Sequence, residues 1–238
     1  MKTIVIFGAG PALGLAVARR FGREGFRAAL VARDRGRLDS MVGELAGEGV
    51  EAAGFQADLT DRAAALGAVD AIEARFGPAD VLEYSPTPGE NLRNRPSQLD
   101  VATVAPLIDK FVLTPVALVG RVLPGMMERG AGGLLFAMGA AAKYPMPRLA
   151  GGMVLAGLRN YVHTLHAELE PQNIYAGTLL IGAVIEGSTA HRNASAWGGG
   201  QVAVVAADDL AERCWNMYLK RDRVEEEVAP GLAPSSDS

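Results

Sequence analysis

Three glycines with the spacing of a phosphate-binding turn stand near the beginning of the chain. Residues 2–7 form a short β-branched apolar run, Gly8, Gly10 and Gly14 follow it, and residues 15–21 show helical spacing. Glycine permits a tight turn and a close approach of the backbone to a pyrophosphate, while a helix N-terminus offers free N–H groups and the positive end of its dipole. An ordinary strand-to-helix turn is the alternative, but the flanking strand and helix favour a nucleotide site.

A basic residue follows the second predicted strand, where a dinucleotide-binding sheet meets the adenosine ribose. Residues 27–32 form that strand, Ala32 occupies the place of the acid that would bind a 2′-hydroxyl, and Arg33 comes next. A guanidinium binds phosphate through forked donors, so the pattern favours NADP, with NAD the less favoured cofactor. The alternative is a solvated charged loop, because Arg37 and Asp39 continue the charged run.

The third predicted strand, residues 50–57, is followed by Asp58 and Leu59. The Asp58 carboxylate has two equally weighted interpretations, as a hydrogen-bond partner for adenine or as a residue that stabilises the turn. Thr60 or Asp61 is predicted to cap the helix that follows. The predicted cofactor-binding residues are therefore Gly8, Gly10, Gly14, Arg33, Asp58 and Leu59.

Strand-like and helix-like segments alternate through the rest of the chain. This alternation predicts an α/β fold, a single-domain Rossmann fold with a doubly wound, mostly parallel sheet and helices on both faces. The domain is predicted over residues 1–229, with a loosely held tail over 230–238 and a flexible connection from Glu186 to Gln201. Further strands are predicted at 80–84, 134–138 and 174–181, and further helices at 38–45, 99–128 (with kinks or a restart at Pro106 and Pro115), 148–170 and 208–219.

The composition limits the classes of partner and compartment. The 238 residues suffice for one domain with a substantial core, and a net charge of −4 gives no case for nucleic acid or an anionic membrane as partner. Cys214 is the single cysteine, which excludes an intramolecular disulfide and suits a reducing cytoplasm. The chain opens on a predicted core strand rather than a signal peptide, and no apolar run approaches a membrane span.

The two neighbouring histidines do not complete a metal site. His163 and His166 are three residues apart and share one helix face, but no cluster of Cys, His or Asp supplies further ligands. No metal is predicted. An interface or core role is the favoured interpretation of these two side chains.

With these motifs in place, the sequence resembles the short-chain dehydrogenase/reductase family along nearly its whole length. Residues 8–14 stand where the family has Gly-x-x-x-Gly-x-Gly, with Ala12 in place of the middle glycine, and residues 31–34 resemble the NADP-preferring form of the second strand. Residues 57–59 resemble the adenine-contacting segment. The resemblance implies an NADP(H)-dependent oxidoreductase that acts on a small molecule and assembles as a homo-oligomer, a dimer or a tetramer.

The family's catalytic residues have no counterparts at the corresponding positions. The resemblance places the family's tyrosine at Gly151 and its lysine at Leu155. It places the serine at Gly139 or Ala140 and the asparagine near Phe111. A positioned general acid/base contributes about 10²–10⁴-fold in rate, so a reductase on this scaffold must recruit another group or turn over slowly.

One substitute proton donor is suggested by the loop after the fifth predicted strand. Tyr144 would donate a proton, with Lys143 lowering its pKa. The favoured alternative is a surface lysine beside a tyrosine that packs on the loop prolines Pro145 and Pro147.

Other polar side chains have weaker functional interpretations. Tyr84 and Ser85 lie at a strand end, where ligands bind in open α/β sheets, and a structural or pocket-lining role is favoured for Tyr84. Glu186 is a candidate base, but a solvated loop carboxylate is favoured. His191 has no evident partner in the sequence.

Three functions remain open at this point. The first is an NADP(H)-binding oxidoreductase with an atypical proton donor, or with none because the substrate is already activated. The second is a non-redox enzyme such as an isomerase, dehydratase or cyclase, and the third is a non-catalytic NADP(H) sensor or subunit. The family's usual activity places the oxidoreductase first.

Overall fold

A seven-stranded parallel sheet forms the centre of the molecule in a computed structural model, which describes residues 1–87, 95–146, 149–192 and 203–229. Its strands are ordered β3-β2-β1-β4-β5-β6-β9, and β7 and β8 form a separate two-stranded sheet. The strands are β1 (Thr3–Phe7), β2 (Arg27–Ala32), β3 (Ala52–Gln56), β4 (Val81–Tyr84), β5 (Gly132–Gly139), β6 (Ile174–Ile181), β7 (Val184–Ile185), β8 (Val204–Val205) and β9 (Glu225–Val228).

The helices form two layers over this sheet. Helices α1, α2 and α8 pack on one face of the sheet and form one hydrophobic core with it. Helices α3, α5 and α6 pack on the opposite face and form a second core. The predicted fold class is therefore confirmed: the sheet is parallel at every pairing and is covered on both faces. The helices are α1 (Leu13–Gly22), α2 (Arg35–Gly47), α3 (Arg62–Phe76), α4 (Val101–Ile108), α5 (Thr114–Arg129), α6 (Gly152–Leu169), α7 (Thr189–Arg192) and α8 (Ala207–Lys220).

The strand order reverses next to β1, and this reversal determines where a ligand fits. β1 pairs with β2 on one side and with β4 on the other, and the chain fills the sheet outward from β1 in both directions. The loops after β1 and β4 therefore diverge to opposite faces and leave a crevice at the carboxyl edge. β1 is buried along its full length, because its β-branched and aromatic side chains enter both cores.

Two elements differ from the sequence-based prediction. The helical region over 99–128 is two helices joined by a π-helical turn at Asp109–Leu113, with Pro106 inside α4 and Pro115 in the first turn of α5. The edge strand β9 was not predicted, because Glu225-Glu226-Glu227 has none of the apolar alternation of a half-buried strand. It pairs with β6 in a parallel backbone ladder, and its glutamates make ionic contacts with Lys143 and Arg159.

Three predicted irregular segments fall partly or wholly outside the described residues. The tail over 230–238 lies outside them, as do residues 88–94 of the polar stretch before Gln98 and residues 193–201 of the predicted flexible connection. The described part of that connection contains α7, and β7 directly precedes it. Asp61, one of the two predicted caps, accepts a hydrogen bond from the Ala64 N–H at the start of α3.

One helical run has the length and composition of a membrane span. The run Val101–Arg129 satisfies both criteria, although the sequence reading found no such run, and 28% of its most apolar window is buried. Leu118, Val119 and Val122 of this run enter the core against the sheet. The opposite side of the run presents exposed apolar side chains, including Val116 and Met127.

Candidate functional site

A cavity of about 440 Å³ runs along the carboxyl edge of the sheet. It extends from the ends of β2 and β3, across the turns after β1 and β4, to the ends of β5 and β6. The six predicted cofactor-binding residues, which come from three separate loops, all line it: Gly8, Gly10, Gly14, Arg33, Asp58 and Leu59. The structure thus brings the predicted set together at one site, and their role as cofactor ligands stays a prediction.

The first and last glycines of the turn are required by packing. Gly8 has a φ of +83°, and a Cβ there would lie 2.6 Å from the Pro86 backbone nitrogen. A Cβ on Gly14 would lie 2.8 Å from Ala9 Cα. Gly10 is different, because a Cβ there would meet nothing within 4 Å, so the space beside this residue is open.

The amino end of α1 points its backbone toward the same cavity. The N-cap residue is Ala12, whose side chain accepts no hydrogen bond, so no side chain caps the helix. Pro11, Ala12 and Leu13 line the cavity beside the glycines. An uncapped helix N-terminus presents N–H donors and positive partial charge, the arrangement that binds phosphate.

Charged side chains gather at the end of the cavity formed by the loops after β2 and β3. The Arg33 guanidinium lies 3.8 Å from an Asp58 carboxylate oxygen. Asp58 also accepts hydrogen bonds of 2.9 Å from both the N–H and the hydroxyl of Thr60. Burial by itself would raise the pKa of Asp58, but the Thr60 hydrogen bonds and the charges of Arg33 and Lys110 lower it below its ordinary value. Asp58 therefore stabilises its turn and faces the cavity at once.

Lys110 is a cavity residue that sequence reasoning missed. It lies in the π-helical turn between α4 and α5, and its ammonium donates a hydrogen bond of 2.5 Å to the Thr87 carbonyl oxygen. Burial and the nearby Arg33 charge lower the pKa of Lys110 to about 8, with Asp58 opposing. A sequence signal existed, because the residue precedes Phe111, which the family resemblance had already placed at an active-site position.

The end of the cavity at β5 and β6 is predominantly apolar. Phe111, Gly139 and Leu155, where the family resemblance led us to expect catalytic residues, line it together with Met138 and Leu158. Its hydroxyl groups come from Ser85, Ser188, Thr189 and Tyr84. The Tyr84 hydroxyl is already committed, because it donates to the Lys110 carbonyl oxygen, and burial raises its pKa strongly.

The Lys143–Tyr144 candidate is wrong as a substitute proton donor. Neither side chain lines the cavity. Both are directed to the edge strand β9, where Tyr144 donates a 2.8 Å hydrogen bond to Glu227 and Lys143 pairs with Glu225 and Glu227. The pKa of Tyr144 is raised by its bond to Glu227, which makes the phenol a poorer acid, contrary to the lowering that the hypothesis required.

The same strand engages the first of the two α6 histidines. His163 Nε2 lies 3.0 Å from a Glu225 oxygen, and Arg159 donates to Glu225 at 2.5 and 3.0 Å. His166 Nδ1 lies 2.8 Å from the Ala176 carbonyl oxygen of β6. Both histidines thus attach α6 to the sheet, which corresponds to the predicted core role. Among the described residues, no cluster of three potential metal ligands occurs.

The remaining polar residues that the sequence singled out do not line the cavity. Glu186 is exposed and does not line the cavity, in agreement with the solvated-loop interpretation. His191 does have a partner, since its Nδ1 accepts a 3.2 Å hydrogen bond from the Gly187 N–H. Cys214 is buried and unpaired, and burial raises the pKa of its thiol.

Glu83 is a buried acid beneath the cavity. It lies in β4 with no exposed surface, between Ile6 of β1 and Leu135 of β5 in the sheet register. Neither carboxyl oxygen has a hydrogen-bond partner among the described residues. Burial raises the pKa of Glu83 to about 8, and the nearby Ser85 hydroxyl opposes this without completing a hydrogen bond. The side chain is therefore largely protonated at neutral pH.

Structural comparison finds the same fold in known oxidoreductases. An actinorhodin polyketide ketoreductase with NADPH superimposes with a TM-score of 0.86 at 22% identity, covering 98% of each chain. An NADPH-bound short-chain oxidoreductase of Pseudomonas aeruginosa, described as containing an atypical catalytic center, gives 0.84 at 19% identity, covering 99% of this chain and 98% of the other. At these identities the likeness shows the shared fold.

Sequence comparison identifies the family. A short chain dehydrogenase of Pseudocercospora fijiensis is 30% identical over 197 residues, which cover 77% of this chain and 60% of that protein. A very-long-chain 3-oxoacyl-CoA reductase of Anas platyrhynchos is 28% identical, covering 74% of this chain and 57% of its own length. The chain thus spans about three fifths of these relatives. The profile of the family described as short chain dehydrogenase matches residues 2–196. The chain belongs to the short-chain dehydrogenase family.

Proposed function

We propose that the protein is an NADP(H)-binding oxidoreductase whose active site differs from that of the family. The observation that carries this proposal is the continuous cavity between the uncapped α1 N-terminus and the charged end at Arg33. A dinucleotide has its pyrophosphate between two nucleoside ends, and a phosphate-binding turn midway along an open sheet edge suits that layout. NADP(H), when bound, would supply the hydride, and NADPH-bound relatives in the same fold support this choice of cofactor.

Different residues along the cavity would bind different parts of the cofactor. The backbone of the turn at Gly8 and Gly10 would bind the pyrophosphate, and Arg33 would bind a 2′-phosphate. The apolar end at Met138 and Leu155 would receive the nicotinamide and the substrate and exclude water from them. Among the described residues that line this end, none offers a phenol paired with an ammonium, so we infer a substrate whose reduction does not depend on that acid, such as a quinone or a conjugated enone.

A second function, a non-catalytic NADP(H) sensor, is favoured by the apolar character of the same end. Leu155 is buried at the position where the family resemblance expects the ribose-binding lysine, so the end binds a ring without a proton-transfer group. A non-redox enzyme on this scaffold, such as an isomerase, dehydratase or cyclase, stays open as a third function. These functions differ in whether NADPH is consumed.

The experiment that tests the proposal is a titration followed by a turnover assay. Purified protein is titrated with NADPH and NADH by cofactor fluorescence, and we expect NADPH to bind more tightly. NADPH oxidation is then followed by its absorbance with a panel of quinones, enones and ketones. Oxidation with quinones or enones supports the oxidoreductase, tight binding without oxidation supports the sensor, and no binding of either nucleotide overturns the cofactor proposal.

The partner that we propose for the exposed face of α5 is a second copy of the chain. Leu113, Val116 and Met127 recur at helical spacing on that face and are each more than a third exposed. A homo-oligomer would bury them, as the family resemblance implies. Light scattering after size exclusion should show a dimer or tetramer, and Val116→Glu should shift it toward monomer while Leu219→Glu, on exposed α8 surface, should not.

The compartment that we propose is the cytoplasm. The single cysteine, Cys214, is buried and unpaired, so the fold holds no disulfide that would need an oxidising compartment. The acidic chain, with its net charge of −4, also suits neither nucleic acid nor an anionic membrane as a partner. Fractionation of the source cells with a tagged chain would test this assignment.

A further inference from the structure

Lys110 has the geometry of an anion-binding group that the family motifs do not assign. It lines the cavity from the helical side, whereas Arg33 and Asp58 approach from the ends of β2 and β3. Its side chain is half-buried, and its ammonium has one hydrogen-bond partner among the described residues, the Thr87 carbonyl oxygen at 2.5 Å. An ammonium has three N–H donors, so two have no partner in the part of the chain that the structure describes and could bind a ligand in the cavity.

The charges around Lys110 leave this end of the cavity net positive. Arg33 and Lys110 line the same cavity, and the charge of Arg33 disfavours the charged form of Lys110. Both cations lower the pKa of Asp58, the nearby carboxylate that Thr60 already hydrogen-bonds. Asp34 and Arg37, which also line the cavity, neutralise each other in a 3.2 Å pair. Asp109, beside Lys110 in the chain, pairs instead with Arg62 at 3.6 Å. An anion between Arg33 and Lys110 would relieve their repulsion.

We propose that Lys110 is the second cation for the 2′-phosphate of NADP(H), acting with Arg33 and contributing to the choice of NADP over NAD. The inference rests on the proposed binding of NADP(H) in this cavity. The 2′-phosphate is the one group that distinguishes the two cofactors, and it is dianionic above about pH 6. Two cations from different elements match a dianion better than Arg33 alone, and a lysine serves as a compact point charge at such a site.

A bound 2′-phosphate would also explain why Lys110 is half-buried without an ion pair to a carboxylate among the described residues. Desolvation of an ammonium is unfavourable, and the Thr87 carbonyl offsets only part of it. Bound phosphate would supply the missing counter-charge, so binding would stabilise the charged form of Lys110 and would raise its pKa. Affinity for NADPH is therefore linked to a proton on this side chain.

The experiment measures dissociation constants of four proteins for NADPH, NADH and 2′,5′-ADP at pH 7. The proteins are the wild type, Lys110→Met, Lys110→Arg and the control Lys220→Met, which removes an equal charge at the exposed end of α8. Lys110→Met should weaken NADPH and 2′,5′-ADP about tenfold or more and should leave NADH nearly unchanged. Lys110→Arg should retain most of the NADPH affinity, and Lys220→Met should match the wild type.

The outcomes separate a failure of the proposed function from a failure of the role proposed for Lys110. Failure of the wild type to bind NADPH would overturn the proposed function itself. Wild-type binding with an equal loss of NADPH and NADH in Lys110→Met, or with no loss of either, would overturn the role of Lys110 and leave the proposed function standing.

A second measurement uses the wild type alone, so it does not depend on the folding of a variant. Among the described residues, the charged groups that act on the Lys110 ammonium are Arg33 and Asp58, and the Thr87 carbonyl accepts its hydrogen bond. The pKa of Asp58 is lowered below its ordinary value, so this carboxylate stays ionised between about pH 7 and 9.5. NADPH affinity should therefore fall as the pH rises above about 8, the pKa of Lys110, while NADH affinity stays level. Parallel curves for the two nucleotides would contradict the proposal.

Discussion

Gly8 and Pro86 pack backbone to backbone where the turns after β1 and β4 meet. The φ of Gly8 is +83°, and a Cβ on it would lie 2.6 Å from the Pro86 nitrogen. This contact joins the glycine turn to the loop that continues to Thr87, the partner of Lys110. The middle of the cavity is thus formed by a close backbone approach at the strand-order reversal.

The first prediction concerns this contact. Gly8→Ala should lower the free energy of unfolding by roughly 1–3 kcal/mol, because it forces a left-handed φ on alanine and pushes the two turns apart. Gly10→Ala is the matched control, since its Cβ meets no protein atom and should change stability little. Urea unfolding of both variants measures the difference, and equal losses would show that the contact does not constrain the turn.

The second prediction concerns Arg33. Arg33→Ala should weaken NADPH binding about tenfold and NADH binding much less, because the guanidinium would lose a charge-assisted bond to the 2′-phosphate. Arg35→Ala is the control, since Arg35 pairs with Asp39 at 3.0 Å and does not line the cavity. Fluorescence titration gives both affinities. An equal loss for the two nucleotides would mean that Arg33 does not bind the 2′-phosphate.

The third prediction concerns the buried acid Glu83. Its pKa is about 8 in the folded chain against an ordinary 4.5, so folding takes up a proton between these values, and this group makes the folded state less stable as pH rises from 4.5 to 8. Glu83→Gln removes that dependence. The variant should gain stability relative to the wild type by up to about 1.4 kcal/mol per pH unit across the window. Chemical unfolding at pH 5, 6.5 and 8 measures it, and a constant difference would show that Glu83 does not take up the proton.

The fourth prediction concerns Glu225, the centre of the ionic contacts of β9. Burial by itself would raise the pKa of Glu225, but hydrogen bonds and charge from Arg159 and Lys143 lower it from 4.5 to about 2. Its stabilising contribution is therefore present above pH 4.5 and is lost as pH falls from 4.5 to about 2. Glu225→Gln should cost about 1–2 kcal/mol at pH 7, allowing for solvent screening, and little near pH 2.

Unfolding free energies at pH 7, 4 and 2.5 test the Glu225 prediction. Glu51→Gln, at an exposed position before β3, is the control and should follow the wild type at each pH. A Glu225→Gln deficit that persists unchanged to pH 2.5 would argue for a packing defect instead of a lost ion pair.

The fifth prediction tests whether a proton donor is the only group that the site lacks for ketone reduction. Gly151→Tyr combined with Leu155→Lys should raise ketone reduction by NADPH if the pocket still receives a ketone beside the cofactor, by up to about 10²-fold. Gly151 has a φ of −67°, so a side chain there meets no backbone strain. Steady-state rates with the same ketone panel measure the gain. No gain with intact NADPH binding would favour the sensor.

The sequence by itself determined those features that depend only on residues close together along the chain. The glycine turn, the alternation of strands with helices and Arg33 after the second strand depend on neighbours along the chain, and they were enough for the fold class and for the six residues that line the cavity. The family match over residues 2–196 confirmed the resemblance that those motifs carried.

Tertiary structure decided the contacts between residues that are far apart in sequence. The sequence left Lys143 and Tyr144 as a candidate catalytic pair beside a favoured surface role. The structure excludes the catalytic pairing, because β9, 82 to 84 residues further along the chain from Lys143, brings Glu225 and Glu227 to them. That strand could not be predicted from its acidic residues, because pairing to β6 and the cations of α6 stabilise it. Lys110 likewise reaches the cavity from a π-helical turn between α4 and α5 that packs against α6, a contact between segments far apart in the sequence.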